Sequence, residues 1–306
     1  MPNDQHETAD EGGQPGGEGR AAPGQKPLAG GLYFVATPIG SARDITLRGL
    51  DVLRQADVIA AEDTRTLRHL LDIHGIALNH RPLIAYHDHN GAAVRPRLLG
   101  LLREGRSLAY ASEAGTPLVA DPGYRLAEAA IAEGLPVTTA PGPSAVLAAL
   151  TVSGLPSDRF MFAGFAPTTG SARRSWLDEL KAVPSTMIFF ESPRRVGEML
   201  KDLCERFGQE RPAAVCRELT KRFEEVRRGT LADLAVEFAG QAPKGEVVIV
   251  VGRPLPVDVD EVTIKAALRQ RLPRLSRKDA AAEVAQELKR PRREVYQIAL
   301  GMAEDE

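Results

Sequence analysis

The stretch Ser112-Glu113-Ala114-Gly115-Thr116-Pro117, closed by Asp121-Pro122-Gly123-Tyr124, decides the fold class of this chain. It follows a short apolar run over 108–111 and precedes an amphipathic segment, so it lies where a strand ends and a helix has not begun. Ligand sites of open α/β sheets lie at such strand ends. Because Gly lacks a Cβ and Pro fixes φ, a loop rich in both brings backbone groups close to a small ligand.

Short apolar runs alternate with segments of helical periodicity around this loop, a pattern typical of a mostly parallel sheet with crossover helices. The predicted strands of the first region are 32–36, 57–61, 83–86, 107–111 and 136–139, with helices near 46–55, 65–73, 93–103, 123–133 and 143–152. Turn residues over 152–158 interrupt the pattern. The second region has predicted strands 160–165, 186–190, 213–217, 224–228 and 247–251, with helices near 171–181, 194–207 and 230–238. The sequence therefore predicts two α/β domains, the second with a mixed sheet.

Composition suggests four parts in the 306-residue chain. The predicted boundaries are a disordered Gly/Pro-rich tail over 1–29, an N-terminal α/β domain over 30–153, a C-terminal α/β domain over 154–256 and a basic helical extension over 257–306. Within the extension, 265–293 holds ten Lys or Arg against three Asp or Glu. We expect two or three short helices there, one of them capped by Ser276 with Asp279. Such a basic segment favours a polyanionic partner.

Several classes of protein fit the sequence poorly. No apolar run approaches the about 20 residues of a membrane helix, and the N-terminus lacks the pattern of a signal peptide. Cys204 and Cys216 stand apart from other metal-ligand residues, which predicts reduced thiols in a cytoplasmic protein. The glycine fingerprint of dinucleotide-binding folds is missing after the first strand, and a Walker motif is missing throughout. We therefore expect no membrane role and no NAD or ATP site.

Two charged clusters follow predicted strands. Glu62-Asp63-Thr64-Arg65 could accept a substrate proton and grip a phosphate, or could form a helix N-cap with a local ion pair. The functional interpretation is favoured because strand ends of one sheet face one crevice. His87-Asp88-His89-Asn90 suggests a metal, but the other histidines provide no partner set. Hydrogen bonding to a substrate or within the loop is preferred, and no metal is expected.

Four further segments form possible ligand walls. Thr37-Pro38-Ile39-Gly40 and Ala140-Pro141-Gly142-Pro143-Ser144-Ala145 each follow a strand and precede a helix, where unpaired backbone amides can hold a ligand. Arg217-Glu218-Leu219-Thr220-Lys221-Arg222 and Lys244-Gly245-Glu246 could contact phosphates or line a cleft. Each segment alone could equally be an ordinary turn. Together with the 112–123 loop they predict a cofactor crevice.

These loops, in this order, resemble the tetrapyrrole-methylase superfamily and, within it, the ribosomal RNA small subunit methyltransferase I family. The segments that carry the resemblance are 32–50 (LYFVATPIGSARDITLRGL), 60–65 (AAEDTR), 87–90 (HDHN), 112–124 (SEAGTPLVADPGY), 141–145 (PGPSA), 154–160 (GLPSDRF) and 217–221 (RELTK). The resemblance runs from about residue 31 to the C-terminus. Two segments depart from the family pattern: Glu113 replaces the usual Asp, and Ser41-Ala42 replaces Asn-Leu.

The resemblance implies a cleft for S-adenosylmethionine between two α/β domains, and we expect a homodimer. It also implies methylation of the ribose 2′-oxygen of a cytidine in the decoding centre of 16S rRNA. Cofactor contacts, carried to the matching positions, would come mostly from the backbone of Pro38, Ala114, Gly115, Thr116, Ser144, Ala145, Leu219, Gly245 and Glu246.

A ribose hydroxyl is a poor nucleophile at neutral pH, so a base assists its attack on the methyl group. The hypothesis names Asp63 or His87 as the base, with Glu62, Glu113 and Asp88 as further candidates. The residues expected to bind RNA are Arg65, Arg217, Lys221, Arg277, Lys278, Lys289, Arg290, Arg292 and Arg293.

Two other functions remain open from the residues. The first is methylation of a tetrapyrrole or another small molecule, against which the basic extension argues. The second is a non-catalytic RNA-binding or ribosome-assembly protein, which the intact Gly/Pro loops disfavour.

Overall fold

The computed structural model describes residues 28–240, 242–255, 261–288 and 290–302. The predicted disordered tail lies almost wholly outside these residues. The chain divides into two compact units, Met1–Arg253 and Pro254–Glu306. Except for 254–256, both predicted α/β domains lie within the first unit, which we call the α/β unit.

The first sheet of the α/β unit is parallel and is central to the fold. Its strands are β1 Gly31–Val35, β2 Val58–Ala61, β3 Leu83–Ala85, β4 Ser107–Ala111 and β5 Val137–Ala140. They lie in the order β3-β2-β4-β1-β5, and each pairing is parallel. All residues of β2 and β4 are buried, as expected for strands covered on both faces. The carboxyl ends of all five strands consequently meet at one edge of the sheet.

Five helices connect or follow these strands. They are α1 Leu47–Gln55, α2 Thr64–Ile73, α3 Gly91–Arg103, α4 Tyr124–Ala132 and α5 Ala145–Ser153. Helix α5 ends at Gly154, which adopts the left-handed conformation with φ of 75°. Although the predicted boundary assigns α5 to the first domain, its Val146, Ala149 and Leu150 pack in one cluster with residues of the second sheet. Helix α5 therefore follows the last strand of the first sheet in sequence but packs against the second sheet.

The second sheet is mixed, which confirms the prediction. Its strands are β6 Phe160–Phe165, β7 Thr186–Glu191, β8 Pro212–Arg217, β9 Glu225–Thr230 and β10 Val247–Val251. The order is β6-β7-β10-β8-β9, in which only the β6–β7 pair is parallel. Its helices are α6 Gly170–Leu180, α7 Val196–Phe207 and α8 Leu231–Glu237. The helix predicted near 194–207 begins as a short 3₁₀ turn over Pro193–Arg195 and continues as α7 from Val196.

In its described residues the second unit has three helices around a small apolar core. They are α9 Glu261–Arg271, α10 Arg277–Glu287 and α11 Arg292–Gly301. Ile264, Val284 and Val295 are fully buried among them. The Ser276 hydroxyl accepts from the Asp279 amide, which confirms the predicted cap of α10. Among the described residues no helix is long and apolar enough to cross a membrane.

Candidate active site

Three loops at the carboxyl edge of the first sheet are tied together. Because β4, β1 and β5 are neighbours, the loops that follow them meet. The Thr37 and Gly115 amides each donate to the other's carbonyl oxygen, at 2.9 and 3.0 Å. The Thr116 hydroxyl donates to the Pro143 carbonyl at 2.8 Å, and the Ser112 hydroxyl donates to the Gly115 carbonyl at 2.7 Å. The loops therefore form one pre-shaped backbone surface, which we call the first wall.

The loop after β4 holds a strained backbone. Gly115 has φ of +83°, and a Cβ there would lie 3.2 Å from Cγ2 of Ile39. Leu118 and Ala120 also adopt positive φ, at 71° and 56°. Positive φ costs free energy in residues that carry a Cβ, and such residues gather where function requires a particular backbone shape. The conformation of this loop accordingly points to a ligand.

A second wall comes from the adjacent ends of β8 and β10. Nζ of Lys221 donates to Oε1 of Glu218 at 2.8 Å and to Oε2 of Glu246 at 3.1 Å. The Glu246 amide also donates to Oε1 of Glu218, at 3.0 Å. Gly245 has φ of +92°, and a Cβ there would lie 2.2 Å from the Glu218 carboxylate. A side chain at this position would have to displace the Glu218 carboxylate and adopt a φ that favours glycine.

A cleft of about 640 Å³ lies between these walls. The nine residues predicted to bind the cofactor all line it: Pro38, Ala114, Gly115, Thr116, Ser144, Ala145, Leu219, Gly245 and Glu246. A volume of this size is ordinary for small-molecule and cofactor sites. The structure thus brings together every residue of that set, and their contacts with a cofactor stay a prediction.

Glu62, one of the candidate bases, lines the cleft directly after β2. Its Oε2 accepts from the Glu113 amide at 3.2 Å, which holds the carboxylate beside the first wall. Burial raises the pKa of the Glu62 carboxyl above its ordinary value, and the negative charges of Asp121, Glu113 and Asp88 act in the same direction. A carboxylate with a raised pKa is a stronger base. Glu113 also lines the cleft, where it is exposed.

Asp63 does not share this environment, although it is the next residue. Its carboxylate caps α2, where it accepts from the Arg65 and Thr66 amides, and it also pairs with the Arg65 guanidinium at 3.1 Å. Hydrogen bonds from Arg65 are the main cause that lowers the pKa of Asp63 to about 2. The helix-cap interpretation is therefore confirmed for this residue. Because Asp63 is so weak a base, Glu62 is the better candidate for removing the proton.

His87 lies after β3, the edge strand, and outside the residues that line the cleft. Its amide donates to the Asn90 side chain at 2.9 Å, which fits the loop-structuring interpretation. Nδ1 of His87 is buried without a hydrogen-bond partner in the described part of the chain. The same described part contains no group of three His, Cys, Asp or Glu side chains able to hold a metal ion.

The basic candidates for RNA binding lie in different surroundings. The Arg65 side chain is 88% exposed, and it pairs with the Asp63 carboxylate. Arg217 pairs with Glu225 at 3.0 Å, and Lys221 is held in the second wall. In the second unit the exposed candidates are Arg277, Lys278, Arg292 and Arg293, whereas Arg290 is half-buried and pairs with Glu294. Lys289 lies outside the described residues.

Sequence reasoning missed three side chains that line the cleft. Asp121 accepts from the Tyr110 hydroxyl at 3.0 Å, while Phe165 and Glu191 end β6 and β7. The sequence pattern singles out Asp121 only as part of a turn. Glu191 follows a strongly apolar strand and precedes Ser-Pro, the same strand-end signal that singles out Glu62 in the first sheet. That signal could have found Glu191, whereas an exposed Phe at a strand end carries no comparable signal.

Both cysteines are free thiols. Cys216 is buried and lines the cleft, and its burial raises the pKa of its thiol to about 11. The neutral thiol contributes apolar surface to the second wall.

Comparison with known proteins places these features in a family. Residues 31–235 match the family model described as Tetrapyrrole (Corrin/Porphyrin) Methylases, and residues 258–303 match the RsmI C-terminal HTH domain. Among solved structures, a cobalt precorrin-4 methyltransferase is similar with a TM-score of 0.54 at 21% identity, covering 72% of this chain and 94% of that one. A uroporphyrin-III C-methyltransferase from Thermus thermophilus, complexed with S-adenosylhomocysteine, is similar with a TM-score of 0.51 at 20% identity, covering 73% and 97%. These similarities show the fold.

Similarity to curated proteins is closer. A protein of Mesorhizobium japonicum named ribosomal RNA small subunit methyltransferase I is 53% identical over 79% of this chain and 83% of its own length. A protein of Xylella fastidiosa with the same name is 47% identical, covering 83% of this chain and 94% of its own length. The fold and the cleft define a methyltransferase of the tetrapyrrole-methylase class. Within that class, the chain belongs to the ribosomal RNA small subunit methyltransferase I family.

The methyl donor is S-adenosylmethionine, and the cleft fits this molecule. Backbone of the first wall lines the cleft at Gly115, where a Cβ would lie 3.2 Å from Cγ2 of Ile39. Glu62, Glu113 and Asp121 place negative charge in the same cleft, which complements the positive sulfonium of the cofactor. When bound, the cofactor supplies an electrophilic methyl group.

Proposed function

We propose that this enzyme methylates the ribose 2′-oxygen of a cytidine in the decoding centre of 16S rRNA. The proposal is carried by the 53% identity with a relative named for the ribosomal RNA of the small subunit. The match of 258–303 to the RsmI C-terminal HTH domain supports it. An HTH unit with exposed basic residues suits a nucleic-acid substrate better than a small macrocycle.

Glu62 is proposed as the general base. The sheet order supports this choice, because β2 adjoins β4 whereas β3 lies one strand further out. Neighbouring strands are about 4.8 Å apart, so the loop after β2 is nearer to the first wall than the His87 loop. Glu62 would remove the proton from the 2′-hydroxyl as that oxygen attacks the methyl group in line with the sulfur.

The negative cluster around Glu62 has a second proposed role. Charges on Asp121 and Glu113 raise the pKa of Glu62, so they strengthen it as a base. They also disfavour a phosphate close to the sulfonium, which leaves the ribose as the part of the nucleotide that approaches. The residues proposed to hold flanking phosphates are Arg65 and Arg217, which lie outside the acidic cluster.

The second unit is proposed to attract the RNA backbone. Exposed Arg292 and Arg293 begin α11, and phosphate neutralisation by such residues makes affinity depend on salt. Changing both residues to Gln should reduce the slope of log affinity against log salt by about 0.7 to 1 for each phosphate that is no longer neutralised. Changing Arg97, an exposed arginine of α3, to Gln should leave the slope unchanged. An unchanged slope in the double variant would exclude a role for Arg292 and Arg293 in binding phosphate.

A homodimer in the cytoplasm is also proposed. Exposed apolar side chains of the α/β unit, such as Leu147 and Phe223, give surface that a second copy can cover. Light scattering at micromolar concentration tests the assembly state. A monomer at that concentration would overturn the dimer proposal and leave the catalytic proposal unaffected.

The experiment that tests the proposed function maps 2′-O-methylation across ribosomal RNA in cells that lack this chain. Loss of a single methylated cytidine in the 16S decoding centre is expected, with recovery when the wild-type chain is restored. The Glu62→Gln variant should fail to restore it. Unchanged ribosomal RNA would contradict the proposal and favour a small-molecule substrate. Recovery by Glu62→Gln would instead show that methylation does not require Glu62 as its base.

A further inference from the structure

Helix α11 of the second unit presents a continuous exposed stripe on the side opposite its buried face. The helix buries Val295 and Ala299 in the small apolar core. Positions 293, 296, 297 and 300 are all exposed, and because they are three or four residues apart they lie on one side of the helix. We call this set the α11 stripe; its members are Arg293, Tyr296, Gln297 and Leu300.

The composition of the α11 stripe distinguishes it from an ordinary solvent-exposed helix face. Within Arg292–Gly301, all of which the structure describes, no acidic residue is exposed. The one glutamate of the helix, Glu294, is half-buried and pairs with Arg290. Tyr296 and Leu300 are large side chains, yet each is 36% exposed. The stripe therefore combines positive charge with aromatic and apolar surface.

The first turn of α10 extends this positive surface. Nη2 of Arg292 donates to the Lys278 carbonyl at 3.4 Å, which places the first turns of α10 and α11 side by side. Asp279, the acidic residue of that turn of α10, accepts from the Ser276 hydroxyl at 2.6 Å. The exposed basic residues of the two turns are Arg277, Lys278, Arg292 and Arg293. These side chains therefore gather at one end of the α11 stripe.

The order of the helices assigns a role to α11. Helix α10 ends at Glu287 and α11 begins at Arg292, so a short turn joins the two, as in a helix-turn-helix motif. In such a motif the second helix lies against the nucleic acid and contacts it with residues of its N-terminal turns. Helix α11 is that second helix, and its first turn carries basic side chains. The α11 stripe is accordingly the side of the unit that a nucleic acid would contact.

Tyr296 decides which form of RNA fits the stripe. A paired RNA helix has a deep, narrow major groove that side chains cannot read, so it offers mainly phosphates and ribose hydroxyls. Unpaired segments expose the faces of their bases, which stack on aromatic side chains. Gln297, next to Tyr296 on the stripe, presents both a donor and an acceptor to the edge of such a base.

We propose that the α11 stripe binds an unpaired segment of ribosomal RNA. One base stacks on Tyr296, and Arg292 and Arg293 hold the adjoining phosphates. This inference rests on the proposed function and goes beyond it, since the proposed function assigns the second unit only an attraction to the RNA backbone.

The first test compares two forms of one RNA on the full-length wild-type chain. A short oligonucleotide of the 16S decoding-centre sequence is presented either single-stranded or paired with its complement, and binding is followed by fluorescence anisotropy. We expect the single strand to bind about tenfold more tightly at equal salt, as for the gain of one stacked base. Equal or tighter binding of the paired RNA overturns the proposal. Binding to assembled small subunits without binding to either naked RNA also overturns it, because the stripe would then contact a ribosomal protein.

The second test removes the ring. In Tyr296→Ala we expect the Kd for the single strand to rise about tenfold, while the Kd for the paired RNA, which depends on phosphate contacts, stays within about twofold. Tyr296→Phe keeps the ring and should retain the preference for the single strand. Val262→Ala is a control in the same unit, since Val262 is 72% exposed on α9 and lies outside the stripe. A preserved preference in folded Tyr296→Ala, or an equal loss in Val262→Ala, contradicts the proposal.

Methylation of small subunits separates this inference from the proposed function. In Tyr296→Ala the KM for small subunits should rise about tenfold, and in Tyr296→Phe it should stay near the wild-type value. An unchanged KM in folded Tyr296→Ala, with 16S rRNA still methylated by the wild-type chain, overturns the role of the stripe and leaves the proposed function intact. Absence of methylation by the wild-type chain overturns the proposed function itself.

Cross-linking of the wild-type chain decides the question if Tyr296→Ala does not fold. Ultraviolet light joins an aromatic side chain to a base that is stacked on it. The single-stranded oligonucleotide should therefore become attached to a peptide that contains Tyr296. Cross-links that lie only outside 292–301 contradict the proposal.

Discussion

The two walls of the cleft are built from different parts of the chain. The first wall consists of loops tied by backbone hydrogen bonds, in which Gly115 and Leu118 hold positive φ. The second wall is instead held by side chains, in which Lys221 pairs with Glu218 and Glu246. From this difference we expect the rigid backbone of the first wall to contribute most to binding the cofactor, and side chains of the cleft to act on the substrate. Changes in the two walls should therefore affect different steps.

We expect the largest effect on catalysis from substitution of Glu62, the proposed base. Glu62→Gln keeps the size of the side chain and its acceptor for the Glu113 amide but removes the basic carboxylate. We expect kcat to fall about 100- to 10,000-fold, as for loss of general-base catalysis, with the cofactor Kd nearly unchanged. Single-turnover methylation of small subunits and calorimetric titration measure the two quantities.

Glu113→Gln is the control for this prediction, because Glu113 lies in the same cleft but is more exposed. Its effect on kcat should be much smaller. A larger loss in Glu113→Gln than in Glu62→Gln would transfer the role of base to Glu113.

A side chain in the first wall should weaken cofactor binding. In Gly115→Ala we expect the Kd for S-adenosylmethionine to rise about tenfold, since a Cβ in the left-handed region costs roughly 1–2 kcal/mol and shifts the loop. Gly134→Ala is a matched control, because Gly134 has φ of +68° but open space around a Cβ. Both variants should lose similar thermal stability. If the Kd rose equally in Gly115→Ala and Gly134→Ala, general destabilisation and not the shape of the first wall would explain the weaker binding.

The raised pKa of Glu62 sets the direction of the pH dependence. Methylation requires the ionised carboxylate, so kcat/KM should decline as pH falls through a pKa above the ordinary glutamate value, by about tenfold per pH unit below it. Because the folded protein binds this proton more readily than the unfolded chain, stability attributable to Glu62 falls as pH rises between the two pKa values. Glu62→Gln should therefore melt at a higher temperature than wild type at pH 7. A decline in kcat/KM centred on the ordinary pKa of glutamate would contradict a raised pKa for Glu62.

The smallest effect is expected at Asp63. Asp63→Ala removes the cap of α2, so the melting temperature should decrease slightly. Because its lowered pKa makes Asp63 a weak base, kcat should change less than about threefold. Thermal melting and single-turnover rates on the same preparation check both outcomes. A loss of kcat as large as that of Glu62→Gln would restore Asp63 as the base.

Much of the site could be predicted because parallel strands place their carboxyl ends together. The loops at Pro38, Ser112 and Ser144 could be located from apolar runs followed by Gly and Pro. Glu62 and Asp63 could not be told apart, since the environment of each depends on helix α2 beginning at Thr64. Phe165 was missed because an exposed Phe at a strand end carries no signal in the sequence, whereas Glu191 ends an apolar strand and could have been found.

The central claim is that the first wall binds the cofactor while Glu62 performs proton removal. The most direct measurement determines the Kd for S-adenosylmethionine and the single-turnover methylation rate on saturating small subunits for Gly115→Ala and Glu62→Gln together. The account predicts that Gly115→Ala changes mainly the Kd and that Glu62→Gln changes mainly the rate at saturating cofactor. If each variant raised the cofactor Kd and lowered the methylation rate by the same factor, the account would be contradicted.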